Sequence, residues 1–193
     1  MIDALLVSHV LLWILTLLLA ASVLALARQV GVLHERVAPV GALSPAAGPR
    51  VGEAAPEMIV ADVAGGRVSV GGSSEASTLL FFVSPTCPVC KSLLPTVERV
   101  ARDEGARLVL ASDGPSEEHA AFVREHDLGR FPYVLSTELG LAWQVARLPY
   151  AALIDAQGVV RAKGLVNNRE HLESLFEAER RGVASLQEFL DDG

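Results

Sequence analysis

Cys87-Pro88-Val89-Cys90 lies between the apolar run Leu79 to Val83 and a helix-like stretch from Lys91 to Glu104. The order reads as strand, dithiol, helix. Two sulfurs in the first turn of a helix can open and close a disulfide with little backbone movement, and the partial positive charge of the helix N-terminus favours the thiolate. The chemistry expected of the pair is thiol–disulfide exchange. Cys87, at the exposed helix start, is the expected nucleophile, and Cys90, one turn deeper, the expected resolving thiol. The chain has only 2 cysteines, so no disulfide framework staples the fold. The redox-active Cys87–Cys90 disulfide is the only redox group the chemistry requires, and no further cofactor is expected.

Other uses of the pair leave recognisable traces. Cys-x-x-Cys supplies half of a tetrahedral zinc site. The other half would have to come from His119 and His126, seven residues apart on a predicted helix, a spacing outside the zinc-finger pattern and shared by many surface histidines. No metal is expected. A purely structural disulfide closing so small a loop would restrain the unfolded chain very little. Lys91 could add positive field beside the sulfurs, although a lysine in a first helical turn is more often a solvated charge. Trp143 and Phe131 read as core aromatics, and Pro95 as a bend in the helix.

Strands are predicted at Met58 to Val60, Val68 to Val70, Thr78 to Val83, Arg107 to Ala111, Tyr133 to Ser136, Tyr150 to Asp155 and Val159 to Leu165. Gly65-Gly66 and Asp155-Ala156-Gln157-Gly158 look like hairpin turns. Helices are predicted at Cys87 to Glu104, Ser116 to His126, Glu138 to Ala146 and Arg169 to Gly182, the last preceded by capping-type Asn167 and Asn168. Leu186 to Leu190 reads as a short, frayed segment. Strands alternating with helices indicate an α/β fold: a central mixed sheet flanked by helices, with Leu79 to Val83 and Leu108 to Leu110 as buried central strands.

The chain has 193 residues, 16 basic and 23 acidic, for a formal charge of −7. That balance argues against nucleic acid as a partner. Ala4 to Ala27 carries no formal charge and as a helix would span roughly 36 Å at ~1.5 Å per residue, long enough to cross a bilayer. No Lys or Arg precedes it, unlike the basic start of a cleaved signal peptide. Residues 4–27 are therefore expected to be a single transmembrane anchor, 28–56 a helical extension and linker, and 57–193 the α/β domain. Arg28 and Arg36 flank the anchor on the domain side, which taken alone places the domain in the cytoplasm. Large domains translocate despite flanking charge, and a tethered dithiol is most useful where disulfides persist. The expected location is the inner membrane, with the domain in the periplasm.

Strand, Cys-x-x-Cys, a helix carrying Pro95, and a later Leu148-Pro149 before a strand together resemble the thioredoxin fold. The resemblance implies that Pro149 is a cis-proline lying against the dithiol and that Leu148 offers backbone to a bound substrate strand. A nearer resemblance covers almost the whole chain. Leu26 to Arg36 after the anchor, Ser84-Pro85-Thr86-Cys87-Pro88-Val89-Cys90-Lys91, and Gly164 to Glu173 look like the MauD family of methylamine-utilisation accessory proteins. It implies a membrane-anchored thioredoxin-like protein that forms or isomerises disulfides in the small subunit of periplasmic methylamine dehydrogenase. An isomerase would also need a membrane thiol carrier as electron partner. TlpA-like thiol reductases of cytochrome c maturation, and tethered chaperones or scaffolds with incidental thiols, are the neighbouring possibilities.

Two departures from ordinary thioredoxin stand out. Thr86 occupies the place of the usual tryptophan before the first cysteine, and Phe81 that of the buried acid six positions before it. Without that carboxylate the usual proton acceptor for Cys90 is missing. Pro88 resembles oxidising members of the fold.

Overall fold

The computed structural model describes residues 6, 8, 9, 11–23 and 48–181. The chain divides into two units, Met1–Ser44 and Pro45–Gly193. In the first, residues 11–23 form a helix, α1, whose apolar side chains, among them Leu12, Trp13 and Leu18, are exposed. Among the described residues no helix is long and apolar enough to cross a membrane. The expected span over 4–27 is thus not part of the described structure; residues 4, 5, 7, 10 and 24–27 lie outside it. So do the expected helical extension Arg28 to Arg36, the linker up to residue 47, and Leu186 to Leu190.

The second unit opens with an antiparallel pair, β1 (Met58–Ala61) and β2 (Arg67–Val70), turned at Gly65-Gly66. The central sheet is built from β3 (Thr78–Phe82), β4 (Arg107–Ser112), β5 (Tyr133–Leu135), β6 (Tyr150–Ile154) and β7 (Val160–Leu165) in the order β5-β4-β3-β6-β7. β3, β4 and β5 are parallel, and β6 and β7 run antiparallel to their neighbours, so the sheet is mixed. β3 is central and all five of its residues are buried, as expected of a strand covered on both faces. The β6–β7 turn closes where Asp155 accepts from the amides of Gln157 and Val159. There Gly158 takes φ +82 and packs so tightly on Gly72 that a Cβ would lie 2.7 Å from that backbone. Just ahead of Glu57, Gly52 donates to Val160 and Val160 to Glu53, adding a rung outside β7.

Helices α2 (Pro88–Asp103), α3 (Ser116–Glu125), α4 (Thr137–Ala142) and α5 (Arg169–Arg181) cover the sheet. α2 buries Cys90, Leu93, Leu94, Val97, Val100 and Ala101, a 3-to-4-residue spacing that puts them on one stripe. It stops at Gly105, φ +66, where the amides of Gly105 and Ala106 return to Arg102 and Ala101. α2, α5 and Phe122 of α3 share one apolar cluster with Leu79, Phe81 and Val83. The other face of β3, Leu80 and Phe82, packs with Leu139 and Trp143 of the α4 region and with Val60, Val68 and Val70 of the small sheet.

α4 is shorter than the expected Glu138 to Ala146. Gln144 adopts φ +49, its amide returns to Leu141 and that of Val145 to Gly140. This is the helix stop usually made by glycine, written here with a glutamine.

Candidate active site

Cys87 is the N-cap of α2: its backbone is extended, and its sulfur accepts from the Cys90 amide at 3.2 Å. Pro88 occupies the first turn, where a missing N–H costs nothing. The turn leading in is stiffened from within. The Cys87 amide donates to the Ser84 carbonyl at 3.1 Å, and the Ser84 and Thr86 hydroxyls meet at 2.9 Å. Cys87 and Cys90 form a disulfide with Cα atoms 5.3 Å apart. Cys90 is 0% exposed, Cys87 is half-buried, and Val89 beside them is exposed. No acidic residue sits in the first turn of α2, so nothing there opposes a thiolate at the helix N-terminus.

Leu148-Pro149 is a cis peptide. Tyr150, the next residue, pairs with Phe82, so Pro149 and the Ser84–Cys87 turn leave the same end of paired strands. Pro149 is buried and its carbonyl accepts from the Val166 amide at 3.1 Å. Leu148 is exposed, and among the described residues its backbone makes no hydrogen bond to other backbone. Those groups are free to pair with an extended peptide. Tyr150 has its phenol pushed up to about 12 by burial.

Beneath the sulfurs the site is dry. Phe81 is 0% exposed and belongs to the same apolar cluster as Cys90. Among the described residues the buried acid is Asp155, paired with Arg161 beyond Ile154. Ile154 faces Thr78, the far end of β3, so no carboxylate stands in for the one Phe81 replaces.

The polar exceptions on this face are Ser112, Tyr133 and His119. Ser112 donates to the Val83 carbonyl at 2.7 Å. The Tyr133 hydroxyl and His119 Nδ1 are 2.8 Å apart, and His119 Nε2 lies 2.9 Å from the Asp113 carbonyl. Burial pushes the Tyr133 phenol up to about 12, with Ser112 opposing the shift. His119 is therefore not a surface histidine: it is 1% exposed with both ring nitrogens engaged. His126 lies against Phe122, ring centroids 4.7 Å apart. Neither joins the cysteines, and no cluster of three or more potential metal ligands occurs among the described residues. Trp143 is fully buried and Phe131 packs at the edge of the core. Lys91 reaches over the Phe122 ring at 6.0 Å.

The Ser112–Tyr133–His119 set was missed from the sequence. Ser112 follows Leu110 by two, the period that puts both on one sheet face. His119 precedes the core residue Phe122 by three, on one helix face. Those spacings were the available signals.

The arrangement can perform exchange in two steps. With Cys87 as the attacking group, its thiolate would open one sulfur of an incoming disulfide, releasing the other as thiolate; Cys90 would then attack Cys87 Sγ, freeing the second thiol and leaving Cys87–Cys90 oxidised. Two electrons pass to the incoming disulfide, and the reverse order creates one.

Residues 51–163, more than half of the chain, match the AhpC/TSA family. Among solved structures, the mixed oxidised and reduced DsbF of MTB superposes with a TM-score of 0.52 at 20% identity, over 63% of this chain and 94% of its own. The thioredoxin domain of a thiol-disulfide oxidoreductase from Bacteroides vulgatus gives 0.54 at 20%, over 64% and 96%. These fix the fold, and a Cys-x-x-Cys capping α2 at its sheet edge fixes the chemistry: a thioredoxin-like thiol–disulfide oxidoreductase. Curated relatives resolve it further. Methylamine utilization protein MauD of Paracoccus versutus is 51% identical over 96% of this chain and 94% of its own. The MauD proteins of Paracoccus denitrificans and Methylorubrum extorquens are 48% and 49% identical, over 98% and 96% of this chain and 96% and 92% of theirs. The chain belongs to the MauD family.

Proposed function

We propose that this oxidoreductase is anchored in the inner membrane and forms or isomerises disulfides in the small subunit of methylamine dehydrogenase on the periplasmic side. The observation that carries the reading is identity of about half, over nearly the whole chain, to proteins named for methylamine utilisation. Exchange at Cys87 and Cys90 supplies the chemistry, while Leu148 and Pro149 supply a place for an extended client strand. The charge-free run Ala4 to Ala27 and the exposed apolar side chains of α1 support an anchor. A role in making disulfides supports the periplasm, where they persist. Working as an isomerase, the pair has to be kept reduced, which calls for a membrane thiol carrier to deliver electrons.

The test is trapping with Cys90→Ser, which leaves Cys87 unable to resolve mixed disulfides, in cells growing on methylamine. Non-reducing gels and adduct identification should recover the dehydrogenase small subunit. Cytochrome c precursors in its place would transfer the role to haem-site reduction. Full complementation of a deletion by a Cys87→Ser, Cys90→Ser double variant would leave only a scaffold. Labelling of Cys87 by a membrane-impermeant thiol reagent in reduced spheroplasts reports the side.

A further inference from the structure

β3 and β4 pair in parallel as far as Phe82 and Ala111. One residue later the Val83 amide still donates to Ala111 at 2.9 Å. The next rung, from the Asp113 amide to the Val83 carbonyl, is not made, and that carbonyl accepts instead from the Ser112 hydroxyl at 2.7 Å. Both residues are buried, Val83 at 1% and Ser112 at 7% exposure. A side chain therefore satisfies the last strand carbonyl where the chain turns toward the dithiol.

Ser112 has support behind it. The Tyr133 hydroxyl lies beside it and reaches His119 Nδ1 at 2.8 Å, while His119 Nε2 meets the Asp113 carbonyl at 2.9 Å. The Asp113 carbonyl can only accept, so in the neutral ring Nε2 carries the hydrogen and the Tyr133 hydroxyl donates to Nδ1. The Ser112 hydroxyl gives its hydrogen to the Val83 carbonyl and the Tyr133 hydroxyl gives its own to His119, so two neighbouring buried bonds, rather than one continuous string, close the residue after β3 and the residue after β4. Val83 runs directly into Ser84, whose carbonyl holds the Cys87 amide at 3.1 Å.

We propose that Ser112, backed by Tyr133 and His119, is a positioning residue for the dithiol: by closing the Val83 carbonyl it fixes the stem that holds Cys87 as the cap of α2. The inference rests on the exchange activity and is independent of which client is served. With Phe81 beneath, the Cys87 thiolate is stabilised by the Cys90 amide and the helix N-terminus. A stem free to rotate weakens that cap. Losing it raises the free energy of the thiolate, and so of the reduced pair relative to the disulfide, which makes the protein a stronger reductant.

The test compares the full-length chain in detergent with Ser112→Ala, Ser112→Thr and Tyr133→Phe. Two readings are taken: the glutathione equilibrium of the Cys87–Cys90 pair, and the alkylation rate of Cys87 in the reduced protein. Ser112→Ala should move the equilibrium toward the disulfide about tenfold, ~30 mV for a two-electron couple, and slow alkylation below neutral pH. Ser112→Thr, which keeps the hydroxyl, should stay within about twofold of wild type, and Tyr133→Phe should shift in the same direction by less. A Ser112→Ala protein with wild-type equilibrium and alkylation, whatever its melting temperature, overturns the proposal, as does a threonine variant that shifts as far as alanine. Should Ser112→Ala not fold, Tyr133→Phe decides, and an unchanged equilibrium there overturns it. A wild-type pair that never equilibrates with glutathione would instead remove the exchange reading itself.

Discussion

The two faces of the central sheet draw on the same buried strand, yet only one carries chemistry. Leu80 and Phe82 point into the cluster with Leu139 and Trp143, while Leu79, Phe81 and, just past the strand, Val83 point into the cluster with Cys90, and each of these residues is at most 4% exposed. In a thioredoxin-like protein with a buried acid under the second cysteine, the active face would differ from the inert one in its interior. Here Phe81 leaves β3 apolar on both faces. The difference lies at the edge, where Cys87 caps α2 and Ser112 holds the strand end. The sulfurs of this chain are tuned from the end of the strand, not from beneath.

The largest effects should come from the edge. Cys87→Ser removes the group that opens an incoming disulfide, and turnover of a small disulfide substrate should fall to the uncatalysed rate. Cys90→Ser should instead stall after the first step, so that mixed disulfides accumulate on Cys87 and mass spectrometry finds the adduct there. An adduct on Cys90 in the Cys87→Ser protein at a comparable rate would break the comparison, because a fully buried sulfur would then be as accessible as the capped one.

Next come the two phenylalanines. Phe81→Ala and Phe82→Ala should each cost about 3–5 kcal/mol of stability in denaturant titrations, since each empties a large site in a closed cluster. Phe82→Ala should leave the glutathione equilibrium within about twofold, because the inert face does not touch the cap. A larger shift would show that the far face also tunes the thiols.

The tyrosines sharpen the same contrast, with one on each face. The chain has only 2 tyrosines; Tyr133 lies in the Cys90 cluster and Tyr150 packs against the other. Burial pushes both to about 12 from an ordinary 10. Phenolate absorbance should therefore stay silent through pH 10 and rise toward about 12. An unfolded chain gives up these protons near 10 and the folded one near 12, so between those values the folded state binds more protons and stability falls as pH rises. Tyr133→Phe should shallow that fall. A Tyr150 titrating at its ordinary value while Tyr133 does not would show one face to be wetter.

Most of this edge was legible in the sequence because it is local. Cys87, Pro88 and Cys90 declare a cap and a first turn by type and spacing, and Leu148-Pro149 stands out before an apolar strand. What escaped was either a backbone choice that residue type does not announce or a pairing made at long range. Gln144 ends α4 in a conformation usually reserved for glycine, so the helix was read four residues too long. His119 meets Tyr133, fourteen positions on, through a contact only the folded sheet creates. Isolated polar residues in amphipathic stretches read as surface, and nothing local distinguishes a histidine held by a buried tyrosine from one in water.

The smallest effect should come from the outer surface of α2, where Arg130 meets Glu98 at 2.5 Å and Asp127 at 3.3 Å. Arg130 is half exposed while the Glu98 side chain is only 11% exposed, so solvent and salt screen the pair from the arginine side. Surface pairs contribute about 0–1 kcal/mol. Arg130→Ala should therefore lower stability by less than about 1 kcal/mol, with some of that from the Phe131 ring it covers at 5.1 Å. It should leave the glutathione equilibrium unmoved. Glu98 sits on the helix whose first residues carry the dithiol, more than two turns from Cys90, and helix-end electrostatics fade within the first turn. A measurable change in potential from Arg130→Ala would mean that charge along the body of α2 reaches the sulfurs, and the tuning could no longer be assigned to the strand end and the cap.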